Sequence, residues 1–331
     1  MYTTNRLAEA EPLIHRALSI DEKNLGKDHP NVATDLNNLA GLLLDFNRMT
    51  EAEPLYRRAL SIRERSFGKD HPDVAESLSN LAALLYTTNR MTEAESLMRR
   101  ALHIDESSFG KEHPDVATDL NNLALLLKTT NRTAEAETLY RRALSIRERS
   151  FGKDHPDVAQ SLNNIATLLQ DTNRMDEAEP LIRRALHIDE KSFGKYHPNV
   201  ATDLNNLALL LKATNRKDEA EPLMRRMAMI FIKFTSITGH QHPCLQDAMK
   251  NYAVLLQQMG YNREQMVTRL RELYLGIAEK APGPNYPNTA TFSNNPEQLC
   301  DEGTKSHHSE RKRHDKHGPK IIKFTDFFDN H

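Results

Sequence analysis

Apolar residues along this chain return in two alternating rhythms, both helical. Within residues 114–155, Leu120, Leu123, Ala124 and Leu127 fall at i, i+3, i+4 and i+7, one stripe of an α-helix. After a polar break at Asn131-Arg132, Ala136, Tyr140, Ala143 and Leu144 fall at i, i+4, i+7 and i+8, a second stripe. The pattern predicts two helices of about 15–18 residues joined into a hairpin. A single hairpin cannot bury both stripes, so hairpins must stack on one another.

The unit repeats. His29, His71, His113, His155 and His197, each followed by Pro, are spaced 42 residues apart. Gly26, Gly68, Gly110, Gly152 and Gly194 keep the same beat, as do Asn5, Asn47, Asn89, Asn131, Asn173 and Asn215. A sustained beat of this length is the mark of a solenoid. Helix ends are legible as well. Thr50 with Glu53, and Thr92 with Glu95, predict a capping box at the start of the second helix. Pro54, Pro180 and Pro222 follow, predicted in or beside its first turn, where a missing N–H costs least. Gly68 and its copies predict a left-handed stop, and Pro72 and its copies start the next first helix. Five periodic histidines invite a metal reading. Neighbouring copies, however, should lie a helix-packing distance of about 8–10 Å apart, whereas zinc ligands approach to about 2.1 Å. Each His is therefore read as a local turn or cap residue.

These residues resemble the tetratricopeptide repeat. Its Leu-Gly/Ala of the first helix and its Ala, aromatic and Ala-Leu of the second appear here as Leu123-Ala124, Ala136, Tyr140 and Ala143-Leu144. The 42-residue length and the words "LNNLALL", "EAEPLYRRAL" and "GKDHPDVA" resemble the repeats of kinesin light chain and related bacterial arrays. The resemblance implies an all-α, right-handed superhelical solenoid of stacked helix-turn-helix hairpins. It divides residues 1–280 into a partial hairpin at 1–30 (second helix only), five repeats of the 42-residue type at 31–242 and a divergent capping repeat at 243–280; beyond it, a Pro- and Asn-rich composition predicts a disordered basic, His-rich tail at 281–331. In the capping repeat Tyr252-Ala253 replaces Leu-Ala, and Gly260 replaces the turn Asn.

In such repeats the first helices line a concave groove that grips extended peptides of other proteins. The resemblance places Asn37, Ser79, Asn121, Asn163 and Asn205 on that groove. Leu125, Thr167 and Leu209 follow one turn on, and Tyr86, Lys128, Gln170 and Lys212 a further turn on. Side-chain amides both donate and accept, which suits a peptide backbone. The adjacent row (Asn38, Asn80, Asn122, Asn164, Asn206, Asn251) is read as structural, bonding between helices.

Composition narrows the function. Hydrophobic residues make up 38% of the 331 residues and aromatics 6%, with no Trp, which suits helices packed through small contacts. A net charge of −2, from 44 basic and 46 acidic residues, gives no sign of nucleic acid or an anionic membrane as partner. The Arg pairs Arg57-Arg58, Arg99-Arg100, Arg141-Arg142, Arg183-Arg184 and Arg225-Arg226 each follow a Glu by four residues, predicting helix-supporting ion pairs. Units also alternate between "RRALSIRERSFG" and "RRALHIDE", an 84-residue super-period, so two surfaces recur every second unit. Two cysteines and no apolar run long enough for a span or leader point to a cytoplasmic protein. No phosphate loop, H-E-x-x-H, C-x-x-C or G-x-S-x-G occurs, and no cofactor is implied. The expected function is a non-catalytic protein-interaction scaffold. Open alternatives are a sensor or oligomerisation arm of a signalling protein, a kinesin light chain-like cargo adaptor, or nucleic-acid or metal binding through the tail. Residues 320–329, "KIIKFTDFFD", could fold back into the groove, since tethering raises their effective concentration.

Overall fold

The computed structural model describes residues 2–278, with side chains from 9 to 273. Among these, every element is helical: α1 (Tyr2–Leu25), α2 (Pro30–Asp45), α3 (Met49–Phe67), α4 (Pro72–Thr87), α5 (Met91–Phe109), α6 (Pro114–Thr129), α7 (Thr133–Phe151), α8 (Pro156–Asp171), α9 (Met175–Phe193), α10 (Pro198–Ala213), α11 (Lys217–Thr238), α12 (Leu245–Gln258) and α13 (Arg263–Ala278). They divide into two units, one holding α1–α7 and the other α8–α13. The tail segments considered above lie outside the described residues.

Each unit is a run of stacked hairpins. In the first, Val32, Ala33 and Leu36 of α2 meet Ala59 and Ile62 of α3, and Leu18 of the preceding α1 packs on the same cluster. The arrangement recurs with Val74, Ala75, Leu78, Ala101 and Ile104, now covered by Leu60 of α3. It recurs again with Val116, Ala117, Leu120, Ala143 and Ile146, covered by Leu102 of α5. The second helix of one repeat therefore completes the core of the next. This burial is the main stabilising term, at roughly 25 cal/mol per Å² of apolar area.

The ends of the first helices follow the sequence reading. His29, His71, His113, His155 and His197 are N-caps whose Nδ1 accepts the backbone N–H two residues on, at 3.1–3.3 Å. The next residue, Pro, occupies the first helical position. The imidazole ring also stacks on the Phe that ends the helix before it, with centroids 4.6–4.8 Å apart for Phe67–His71, Phe109–His113 and Phe193–His197. An accepting Nδ1 requires the neutral ring in its Nε2–H tautomer. Burial holds the His197 pKa below its ordinary value. The stability this contributes is present above pH ~6.5 and is lost as pH falls through the folded value.

The second helices begin differently from expectation. Thr50 and Thr92 do not cap; the N-caps are Arg48 and Arg90, and no side chain caps the backbone there. The reason is the turn before them. Asn47, Asn89, Asn131, Asn173 and Asn215 hold φ between 59° and 63°, the left-handed region that Asn tolerates. Arg48 N–H then closes onto Leu43 C=O at 2.8 Å, and the chain re-enters a helix at once. Pro54 accordingly lies in the second turn of α3, beside the first. Gly260 replaces the turn Asn in the terminal repeat and takes φ 90°.

Gly68 ends α3 at φ 88°, ψ 166°, so the stop is not left-handed helical but lies in a region essentially reserved for glycine. Gly68→Ala is expected to destabilise by about 1–3 kcal/mol in denaturant titrations. Gly41→Ala lies mid-helix, and its new Cβ would meet only Tyr56 Oη at 3.6 Å. That substitution is expected to be neutral or to stabilise by about 0.5–1 kcal/mol.

Candidate functional site

Two faces of the hairpins carry polar side chains in register, and stacking uses them differently. On the second helices, Glu53–Arg57, Glu95–Arg99, Glu137–Arg141 and Glu179–Arg183 form the predicted i, i+4 pairs. The turn arginines, which the sequence reading passed over, reach back a full repeat: Arg48 to Glu11, Arg90 to Glu53, Arg132 to Glu95 and Arg216 to Glu179. Arg58, Arg100 and Arg142 also reach back, to Glu22, Glu64 and Glu106, and each donates to the carbonyl of Lys27, Lys69 or Lys111. These Arg partners hold Glu53, Glu93 and Glu179 below the usual carboxylate range. The second-helix face is thus occupied by contacts within the array.

Between first helices the structure forms polar junctions. Each joins a residue of one first helix, a residue forty positions on, and one from the intervening second helix. In the first unit Asn37 Nδ2 donates to Ser77 Oγ at 3.4 Å, and Arg63 Nη1 donates to Ser77 Oγ at 3.1 Å, to Asp73 C=O at 2.8 Å and to Glu76 at 2.7 Å. At the next junction Ser79 donates to Asp119 Oδ1 at 3.4 Å, and Asp105 lies within hydrogen-bonding reach of Asp119. With its amide turned so that the oxygen faces the arginine, Asn121 accepts from Arg147 Nη1 and Nη2 at 3.1 Å. In the second unit Asn163 Nδ2 donates to Asp203 Oδ1, beside Asp189. Burial pushes Asp119 well above the ordinary carboxylate value, and Asp105, alongside it, is also raised. Burial and the Asp189 charge raise Asp203 to about 8.

The groove residues proposed from sequence therefore separate into two groups. Asn37 and Asn121 are only 6% and 3% exposed, and their side chains belong to junctions. Ser79 and Asn163 are half-buried and bonded into junctions as well. Asn205 is half-buried on α10. Tyr86 is half-buried, and its hydroxyl meets Thr129 Oγ1 of α6 at 2.8 Å, joining two first helices. Leu125 and Lys128 are half-buried. In the second unit Gln170 and Lys212 are half-buried, Thr167 is exposed, and Leu209 is 40% exposed. The row read as structural is the more accessible one: Asn38 is exposed, and Asn80, Asn122, Asn164 and Asn206 are half-buried.

Among the described residues no group of three or more His, Cys, Asp or Glu side chains is placed to hold a metal ion. No described helix is long and apolar enough to cross a membrane.

The tetratricopeptide repeat model matches residues 2–64, 36–107, 73–149, 132–191 and 157–227, more than half of the chain. The chain belongs to the tetratricopeptide repeat family. Among solved structures, BtubC (BKLC) from P. vanneervenii is similar with a TM-score of 0.59 and 27% identity, over 73% of this chain and 94% of that one. A Podosopora anserina protein described as a kinesin light chain of nearly identical TPR-like repeats is similar with a TM-score of 0.55 and 22% identity, over 62% of this chain and 98% of that one. At that identity the likeness concerns the fold alone. No curated protein matches the chain. Repeats of this family generally mediate protein–protein contacts.

The junctions and the outer ladder should differ in energetic weight. Arg63, 4% exposed, cannot be removed without leaving Ser77 and the Asp73 carbonyl short of a donor. Arg63→Ala is expected to cost about 1–3 kcal/mol. Arg57→Ala, on a half-exposed pair, is expected to cost less than about 0.5 kcal/mol. Urea unfolding of both variants checks the ranking.

Proposed function

We propose that the chain is a non-catalytic scaffold and that, within each unit, the wall of first helices docks an extended segment of another protein. The observation that carries this reading is the contrast between the two polar faces. Second-helix arginines and glutamates pair with each other along the array, whereas the first helices leave accessible amides beside accessible apolar side chains. In the first unit these are Asn38, Asn80 and Asn122 with Tyr86 and Leu125; in the second, Asn164 and Asn206 with Leu209.

An extended peptide needs a partner for every backbone N–H and C=O that it buries. A ladder of amides serves that need without demanding a particular side chain, and the apolar positions between them supply sequence preference. Lys128 and Lys212 near the ends of α6 and α10 favour an acidic side chain in the ligand. A kinesin light chain-like cargo adaptor and a signalling arm are special cases of this reading, differing only in the partner.

The test is peptide selection by display against the full-length chain, followed by affinity measurement on variants. Asn38→Ala with Leu125→Asp, and Leu209→Asp alone, are expected to weaken selected peptides at least about tenfold, a loss of roughly 1.4 kcal/mol. Glu137→Gln on the second-helix face should leave affinity unchanged. Equal binding by parent and first-helix variants would contradict the proposal.

A further inference from the structure

The polar junctions alternate in character, and this alternation is what the 84-residue super-period writes into the fold. Arg63 occupies the second-helix position of one junction, and Arg147 the equivalent position two repeats later. At the positions between and after them stand Asp105 and Asp189. The arginine junctions supply their own cation and bond it to neutral oxygens and to Glu76. The aspartate junctions do the opposite: each sets a second carboxyl group against the first. Asp119 and Asp203 are 8% and 1% exposed, and Asp189 is 7% exposed. Four carboxylate oxygens are buried without any hydrogen-bond donor: Asp105 Oδ1, Asp119 Oδ2, Asp189 Oδ1 and Asp203 Oδ2.

We propose that Asp105–Asp119 and Asp189–Asp203 are proton latches: each pair shares one proton between its carboxyl groups, and loss of that proton loosens the stacking of two consecutive repeats. Two ionised carboxylates in contact and out of water repel each other and are poorly solvated, so one of them takes up a proton. The proton then supplies the missing donor between two oxygens that otherwise have none.

Burial and the neighbouring carboxylates favour the protonated form and outweigh the Ser79 and Asn163 donors and His113, which favour the ionised one. Asp203 on α10 faces neutral Asn163 from α8, and Asp189 and Glu190 from α9, and Glu190 is itself paired with Arg226 of α11. Asp119 on α6 faces Ser79 from α4, Asp105 from α5 and Asp115 of its own helix. Asp105 additionally feels His113, the cap of α6. Asp35, on α2, is a looser copy: burial raises it, as does the charge of Asp21 on α1, and both side chains are half-buried.

A divalent cation is the competing occupant. Calcium takes six to eight oxygen ligands. The second-unit junction has three unpartnered oxygens, the two aspartate atoms and Asn163 Oδ1, around a carboxylate with almost no access to water. A proton needs only two oxygens.

The sign follows from the raised values. An acid whose folded pKa exceeds its unfolded one contributes stability that is full below the unfolded value, near 3.8 for Asp, and is lost as pH rises through the folded value, about 8 for Asp203. The loss therefore falls between weakly acid and mildly alkaline pH. Asp119 and Asp203 lie on first helices and bond Ser79 and Asn163 of the preceding ones, so release of the proton also slackens the docking wall. This device goes beyond the scaffold reading and stands or falls separately from it.

The experiment is urea unfolding of the full-length chain from about pH 6.5 to 9, a window that spans the folded value of Asp203, about 8. The parent is expected to lose up to about tenfold in folding equilibrium constant per pH unit for each pair that releases its proton. Asp119→Asn with Asp203→Asn, which keeps the shape and supplies a permanent donor, should flatten that slope. The infrared C=O stretch of a protonated carboxyl group should be present in the parent at neutral pH, vanish at alkaline pH and be missing from the double variant. A flat parent profile, an unchanged slope in the variant, or no such band at neutral pH would overturn the proposal. So would stabilisation by added calcium or magnesium that the double variant abolishes. Should the double variant not fold, the infrared titration of the parent decides alone.

Discussion

Everything in this chain depends on one constraint: no hairpin covers its own apolar stripe. Leu60 of α3 completes the core formed by Val74, Leu78 and Ile104, and Leu102 of α5 completes the next. Stability is therefore set by contacts between neighbours, and each repeat must present its neighbour with a matching surface. The polar elements serve that match. Histidine caps and Phe–His stacks fix where each first helix starts. Left-handed Asn turns fix how each second helix returns. Arginines reaching back one repeat fasten the outer edge, while the buried junctions register one first helix against the next.

Much of this was legible in the sequence because it is local and periodic. Helical stripes, the His-Pro start and the glycine stop each lie within a few residues of the structure they cause. What was not legible depends on partners about forty residues away. Asn37 and Asn38 are adjacent, yet one is buried against Ser77 and the other is exposed, and the stripe alone does not say which. Thr50 matched a capping pattern, but the tight turn at Asn47 starts the helix at Met49 and leaves Thr50 inside it. The 84-residue alternation was visible as words. Its meaning, Arg63 against Ser77 in one junction and Asp105 against Asp119 in the next, required the stacked geometry.

The same constraint explains where binding is left to occur. Stacking consumes the apolar stripes, the junction residues and most second-helix charges. Two surfaces remain in register. One is the first-helix wall of each unit, with Asn38, Tyr86 and Leu125 in the first and Leu209 in the second. The other is the edge where Phe67, Phe109 and Phe193 stay 39%, 44% and 38% exposed. Those rings already stack on His71, His113 and His197, which gives them a structural task. On the wall Tyr86 bonds Thr129, and the mixture of amides and apolar groups around it matches what an extended chain needs.

The measurement that bears most directly on this account is hydroxyl-radical footprinting of the full-length chain with and without a saturating selected peptide. The account predicts protection at Tyr86 and Leu125, or at Leu209, with Phe67, Phe109 and Phe193 unchanged. Protection confined to the phenylalanine edge, with the first-helix side chains as reactive as before, would contradict it.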